Sequence, residues 1–281
     1  MSAASLHAGR FVLSLDRPLI MGILNVTPDS FSDGGRYQGV AAARARAEAM
    51  LAEGADMLDV GGESTRPNAP LVSVQEELDR VLPVLEALCE LDVPISLDTR
   101  RTEVMRAGLA LGVDVINDVA ALEDDGAIAA VAASSAAVCL MHKQGTPQNM
   151  QRAPQYRDVV AEVIDYLGAR VHAALAGGIA RERLLVDPGF GFGKTVEHNY
   201  ALLARLGECA RLAPVLAGLS RKSMLGAVTG QSEPAARVAA SVAAAVLACQ
   251  HGAAVVRVHD VAATRDALAV WHAMRDAQRA C

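Results

Sequence analysis

Aromatic side chains are scarce, 3% of the 281 residues, although 52% of the chain is hydrophobic. Its core must therefore be built from Ala, Val and Leu, and the length suits one large α/β barrel domain over residues 1–281. Cysteine is sparse too: Cys89, Cys139, Cys209, Cys249 and Cys281 form an odd set with no CxxC spacing. That excludes a disulfide framework and a zinc site and points to a reduced, intracellular protein, with Cys139 and Cys249 in apolar runs as core residues. Positive charge is in deficit, with a net charge of −6, which argues against nucleic acid or an anionic membrane as partner. An anionic ligand would have to be met by locally placed Lys and Arg. The longest apolar run, Val238 to Cys249, is Ala-rich and too short to cross a bilayer, so it reads as a buried helix. Residues 1–10 lack the apolar stretch of a signal peptide, and the expected location is the cytoplasm.

What the chain does have is alternation. Short apolar runs that suit buried strands recur at Leu19–Leu24, Met57–Val60, Pro94–Leu97, Val113–Ile116, Ala137–Met141, Leu184–Val186, Val215–Leu219 and Ala254–Val258. Helical stretches separate them: Arg44–Glu53, Val74–Cys89 with Pro83 as an expected kink, a third ending near Ala110, Ala127–Ala133, Tyr156–Ala176, Val196–Leu206, Ala235–Gln250 and a last one to about Ala277. A weak repeat of helix, glycine, small residue and strand marks Gly54, Gly112 and Gly252 as helix stops. Eight strand–helix units with no linker between them predict a closed (β/α)8 TIM barrel; an open doubly wound sheet is the alternative. Residues 1–17 form a short N-terminal extension, whose alternating Phe11–Leu15 suits a surface strand or a barrel plug.

Each run ends in polar residues, at the end of the strand where barrels place chemistry. Asn25, Asp59, Asp98, Asn117, Asp187, Lys222, Arg257 and His259 come from seven of the strands. Asp98, Asn117 and Asp187 suit a flat heterocycle that presents N–H and C=O edges, because each carboxylate accepts more than one hydrogen bond. Ser220, Arg221, Lys222, Arg257 and His259, with Thr65 and Arg66, suit an anion, and those after strands seven and eight occupy the usual phosphate position of a barrel. The sharpest stretch is Asp187-Pro188-Gly189-Phe190-Gly191-Phe192-Gly193-Lys194, a tight loop whose Phe190 and Phe192 are either buried or stacked on a ring. Asp118, Asp260 and Ser223 read as helix caps, and His142, with no second histidine at ligand spacing, as a structural residue.

In this order the motifs resemble the bacterial dihydropteroate synthase family. The resemblance runs from Met21–Phe31 through Gly61–Pro67, Asp98-Thr99-Arg100, Asn117-Asp118, Met141-His142, the Asp187–Lys194 loop and Ser220–Ser223 to His259-Asp260. It implies a homodimeric barrel that joins p-aminobenzoate to 6-hydroxymethyl-7,8-dihydropterin pyrophosphate with Mg2+. By that resemblance Asp98, Asn117, Asp187 and Lys222 hold the pterin, with Met141 against it. Asn25, Arg257 and His259 hold the pyrophosphate, and Asn25 is also the metal ligand. Thr65, Arg66, Pro67, Phe192, Lys222 and Ser223 shape the p-aminobenzoate site. The catalytic expectation rests on Asp98, Asp187, Lys222 and Arg257, and two mobile loops fall at 26–36 and 61–72.

Two positions depart from the pattern: Asn68 stands where the family commonly has Gly, and Lys143, expected at the rim, where relatives have an apolar residue. A methyltetrahydrofolate-dependent methyltransferase would share the pterin pocket but has no use for a pyrophosphate site. A regulatory barrel without activity would have lost site residues, and none of the expected positions is missing.

Overall fold

The computed structural model describes residues 5–26, 35–64, 71–145, 150 and 153–280. A hairpin, β1 (Ser5–Ala8) and β2 (Phe11–Ser14), precedes β3 (Leu19–Asn25), α1 (Gly35–Glu53), β4 (Met57–Gly61), α2 (Val74–Leu88) and β5 (Ile95–Asp98). The chain continues through α3 (Thr102–Leu111), β6 (Val115–Asp118), α4 (Ala127–Ala132), β7 (Ala137–Met141), α5 (Val159–Ala176) and β8 (Leu184–Asp187). It ends with α6 (Val196–Ala204), α7 (Leu206–Cys209), β9 (Val215–Ala217), α8 (Ser223–Thr229), α9 (Val238–Gln250), β10 (Ala253–Val258) and α10 (Val261–Ala280). Strands β3 to β10 close a parallel barrel in which β10 pairs with both β9 and β3. The closed barrel is thus the architecture, and the open sheet is excluded.

Strand alternation divides the core in two. Ile20, Leu24, Leu58 and Val60 face outward into the large helix-covered cluster. Leu19, Met21, Met57, Val115, Leu185 and Val255 face inward and fill the lower half of the barrel. Leu6 and Ala8 of β1, both fully buried, join that inner cluster, so the hairpin closes the barrel floor. The alternating Phe11–Leu15 belongs to this plug, since Leu13 and Leu15 pack against the same cluster, while the fully buried residues lie on the preceding strand. Arg10, at the hairpin turn, is held by Asp114 at 3.1–3.3 Å.

The glycines at 54, 112 and 252 have φ of +105°, +90° and +100°, the left-handed helix stops that the repeat implied. Helix α2 starts in a capping box of Ser73 and Glu76 and runs on through Pro83 to Leu88. Helix α1 begins well before Arg44, and β9 stops at Ala217, earlier than the apolar run to Leu219 suggested. Helix α8 is an addition that seven residues with an internal Gly226 are too short to announce by periodicity.

Candidate active site

The inward parity that places Met57 and Val115 in the floor brings polar residues to the top of the same strands. The register runs laterally from Asn25 to Gly61, Asp98 and Asn117, and further round from Met141 to Asp187. Asp59, one layer below, is fully buried and is the acceptor on which the layer converges. The Ser96 hydroxyl donates to its Oδ1 at 2.5 Å, and Asn117 Nδ2 and Arg257 Nε donate to its Oδ2 at 3.2 and 2.6 Å. Arg257 also donates through Nη2 to Asp98 Oδ2 at 2.9 Å, so one guanidinium lies between two carboxylates.

The electrostatics follow from burial. Asp98 is pushed up to about 7 by loss of solvent, which outweighs the opposing pull of Arg257 and is reinforced by Asp59. Asp187, 6% exposed, is likewise raised by burial, held back by the N–H of Gly189 and by Lys222, Lys194 and Arg257. Burial opposes the charge of Arg257, but Asp59 and Asp98 more than offset it and hold its pKa above the ordinary value.

Beyond β8, Asp187 Oδ1 accepts from the Gly189 N–H at 2.7 Å. Phe190 is 1% exposed and belongs to the core, so it is not available to a ligand, whereas Phe192 is only partly buried and lies with Lys222 Nζ 4.2 Å above its ring. Lys222 holds the N-cap position of α8. Ser223, expected as a cap, is instead an exposed first residue of that helix. Ser220 Oγ lies 3.0 Å from His259 Nδ1 and accepts from the His259 N–H at 3.2 Å, which fixes the histidine after β10.

Arg221, read as part of the anion set, is turned to Asp260, with contacts of 3.0 and 2.5 Å, so the Asp260 carboxylate serves that pair rather than capping α10. Asp118 is the turn former expected, accepting from Ala120 and Leu122 N–H at 2.6 and 2.7 Å. Met141 is buried, and Asn25 is exposed at the end of β3. Lys143 is more than a rim residue: it lines a small cavity together with Phe192, Glu63 and Arg100. Thr65, Arg66, Pro67 and Asn68 lie outside the described residues, as do most of the expected 26–36 loop and half of the 61–72 loop.

Residues 21–259 match the family model described as "Pterin binding enzyme". The dihydropteroate synthase of Neisseria meningitidis serogroup C is 56% identical over 273 residues, covering 95% of this chain and 96% of the relative. The chain belongs to the dihydropteroate synthase family. Among solved structures of that family, the Burkholderia cenocepacia enzyme complexed with 7,8-dihydropteroate superposes with a TM-score of 0.91 at 55% identity, over 99% of both chains. The Xanthomonas albilineans enzyme with 4-aminobenzoic acid gives 0.92 at 53% identity, over 98% of this chain and 99% of that one. Family membership makes this chain a transferase with the family's barrel.

Three groups carry no functional signal that is plain in the sequence: Asp59 and Ser96 of the polar layer and Lys194 of the loop after β8. Asp59 was placed at a strand end without a role, although its parity with Met57 directs it inward. Ser96 has the same relation to Asp98. Lys194 shows in the sequence only as the end of a glycine-rich loop.

Proposed function

We propose that this protein joins p-aminobenzoate to 6-hydroxymethyl-7,8-dihydropterin pyrophosphate, forming 7,8-dihydropteroate and releasing pyrophosphate. The observation that carries the reading is the buried Asp59–Arg257–Asp98 array beside Asn117 and Asp187, at the mouth of a barrel 55% identical to a dihydropteroate complex. Asp98, Asn117 and Asp187 bind the N–H and C=O edge of the pterin, and buried Met141 gives it an apolar surface. The raised pKa of both carboxylates reflects the solvent-poor pocket that a flat heterocycle requires.

Asn25, Arg257 and His259 receive the pyrophosphate. A guanidinium carries five N–H donors, so Arg257 can serve the anion while it remains bonded to Asp59 and Asp98. The C–O bond at the pterin methylene breaks, and its electron pair leaves with pyrophosphate. The cationic methylene, conjugated with the pterin, is stabilised by the carboxylates of Asp98 and Asp187. The aniline nitrogen of p-aminobenzoate then forms the C–N bond, and its proton passes to water. Lys222, next to Phe192, serves both substrates; Ser223 and the Thr65-Arg66-Pro67 loop complete the p-aminobenzoate site.

Mg2+ fits this arrangement. Among the described residues no three His, Cys, Asp or Glu side chains form a cage. Mg2+ commonly keeps its waters and binds through one or two protein oxygens plus substrate phosphates, and the exposed amide of Asn25 offers such an oxygen. When bound, the metal would neutralise charge on the leaving group.

The homodimer expectation is supported by exposed Leu247 on α9 and Val270 and Met274 on α10, two helices that pack together. No single helix among the described residues is long and apolar enough to cross a membrane, and a cytoplasmic location suits the substrates.

The test is pyrophosphate release by purified protein with the pterin pyrophosphate and Mg2+, with and without p-aminobenzoate. Release that requires p-aminobenzoate, with dihydropteroate formed, is the expected result. Pterin binding without product would turn the reading toward methyl transfer.

A further inference from the structure

Lys194 is 2% exposed, yet among the described residues no carboxylate contacts its ammonium. Four uncharged acceptors surround it instead: Nδ1 of His142 at 2.9 Å, the carbonyl oxygens of Gly189 at 2.9 Å and Phe192 at 3.1 Å, and that of His142 at 3.5 Å. Such a cage resembles a site for a small monovalent cation, with the cation supplied on a four-carbon tether. Burial pushes Lys194 down to about 7 against the opposing pull of Asp187, so its ammonium form is held at and below neutral pH, and burial together with that ammonium pushes His142 to about 3, so the imidazole is neutral and its Nδ1 accepts from the lysine. That arrangement puts the ring proton on Nε2.

The acceptors belong to two loops, one after β7 and one after β8. The loops touch so closely that a Cβ on Gly189, at φ +70°, would stand 1.8 Å from the His142 carbonyl oxygen. Lys194 also grips the peptides that matter for chemistry. The Gly189 residue whose carbonyl it binds donates its own N–H to Asp187, and the Phe192 whose carbonyl it binds carries the ring beneath Lys222. An apolar side chain of similar length would fill the space but leave His142 Nδ1 and the Phe192 carbonyl without this donor, so the ammonium is what joins the two loops.

We propose that Lys194 is a positioning residue for the transfer reaction, a tethered cation that locks the Asp187–Gly193 loop against the His142 loop. It thereby holds Phe192 at its place beside Lys222 and adds positive potential at Asp187. This rests on the pterin-transferase reading of the site.

The charged groups facing Asp187 are Lys222, Lys194 and Arg257, with the thiols of Cys139 and Cys209 nearby and held neutral by burial. Removing the Lys194 charge leaves Lys222 and Arg257, so Asp187 should titrate at higher pH. The experiment compares Lys194→Met, which keeps the volume, with Lys194→Ala, which opens the cage. Lys194→Met should raise KM for p-aminobenzoate about tenfold with kcat within about threefold, and should move the acid limb of kcat/KM to higher pH. Propylammonium added to Lys194→Ala should restore KM toward the wild-type value, and propanol should not. An unchanged KM and pH profile in Lys194→Met, or a folded Lys194→Ala that propylammonium leaves unrescued, overturns the proposal. If Lys194→Ala is recovered unfolded, refolding with propylammonium decides: recovery of the native circular dichroism spectrum with the amine but not with Na+ supports it, and no recovery overturns it. Wild-type protein in the same assay separates the two readings, since inactive wild type would refute the function itself.

Discussion

Replacing Asp59 probes the centre of the polar layer. Asp59 is fully buried and accepts three hydrogen bonds, one of them the 2.6 Å contact from Arg257 Nε. Asp59→Asn keeps the shape: the amide oxygen can face Arg257 and Asn117, and the amide N–H can face Ser96, whose hydroxyl rotates to accept. The loss is the charge. Bonds to charged groups contribute about 1.5–3 kcal/mol against about 1 for neutral ones, so we expect a destabilisation of about 1–2 kcal/mol. Asp59→Ala removes both acceptor oxygens and the three bonds that they accept, and leaves the guanidinium with Asp98 alone. Breaking a buried ion pair costs about 3–5 kcal/mol, and the surviving 2.9 Å contact to Asp98 places the expectation at the lower end. Urea unfolding followed by circular dichroism at pH 8 measures both. The two variants should also lower the pKa of Asp98, which loses a repelling neighbour in both and, in Asp59→Ala, takes the whole of Arg257. Equal stability of Asp59→Ala and wild type, or an upward shift of the pterin-binding pH midpoint in Asp59→Asn, would refute this account of the layer.

Four further outcomes are expected. Because Asp98 is raised to about 7, pterin affinity should fall about tenfold from pH 8 to pH 6 as the carboxylate is protonated, and Asp98→Asn should flatten that dependence in a fluorescence titration. The same raised pKa means that Asp98 favours folding most below the ordinary carboxylate pKa of about 3.9 and that this contribution is lost as pH rises to about 7; a urea series with wild type and Asp98→Asn checks the sign. Lys222→Ala should abolish turnover by removing a contact to each substrate, while the melting temperature changes little because the side chain is only partly buried; near-normal turnover would remove Lys222 from its assignment. Leu6→Ala should cost about 2–5 kcal/mol, since Leu6 is fully buried in the barrel floor, with kcat of the folded fraction unchanged.

The barrel was legible because its strands are short apolar runs separated by helices that stop at glycine. The polar ends of those strands were legible for the same reason: Asp98, Asn117 and Asp187 each close a run or follow its end. What could not be read is pairing between distant positions. Arg257 and Asp59 lie 198 residues apart, and Lys194 and His142 lie 52 apart. Nothing local distinguishes an arginine that meets an anion at the mouth from one already held by two carboxylates. Arg221 shows the converse: sequence put it with the anion-binding cations, and Asp260, next to His259, turned it away. Strand parity was the one signal left unused, and applied to Met57 and Asp59 it points the carboxylate inward. The short α8 was hidden because seven residues carry too little periodicity.

The hairpin that closes the barrel floor has a consequence for how the molecule comes together. Leu6 and Ala8 rest on side chains drawn from strands as far along as β10, at Val255. On the ribosome this hairpin is made before every surface that it packs against. Its docking face is complete only when the eighth strand has closed the ring, so the seal is expected to be among the last contacts to form. Until then an apolar edge stays exposed. A slow late phase in refolding, shortened or removed in a chain lacking residues 1–15, would mark that step.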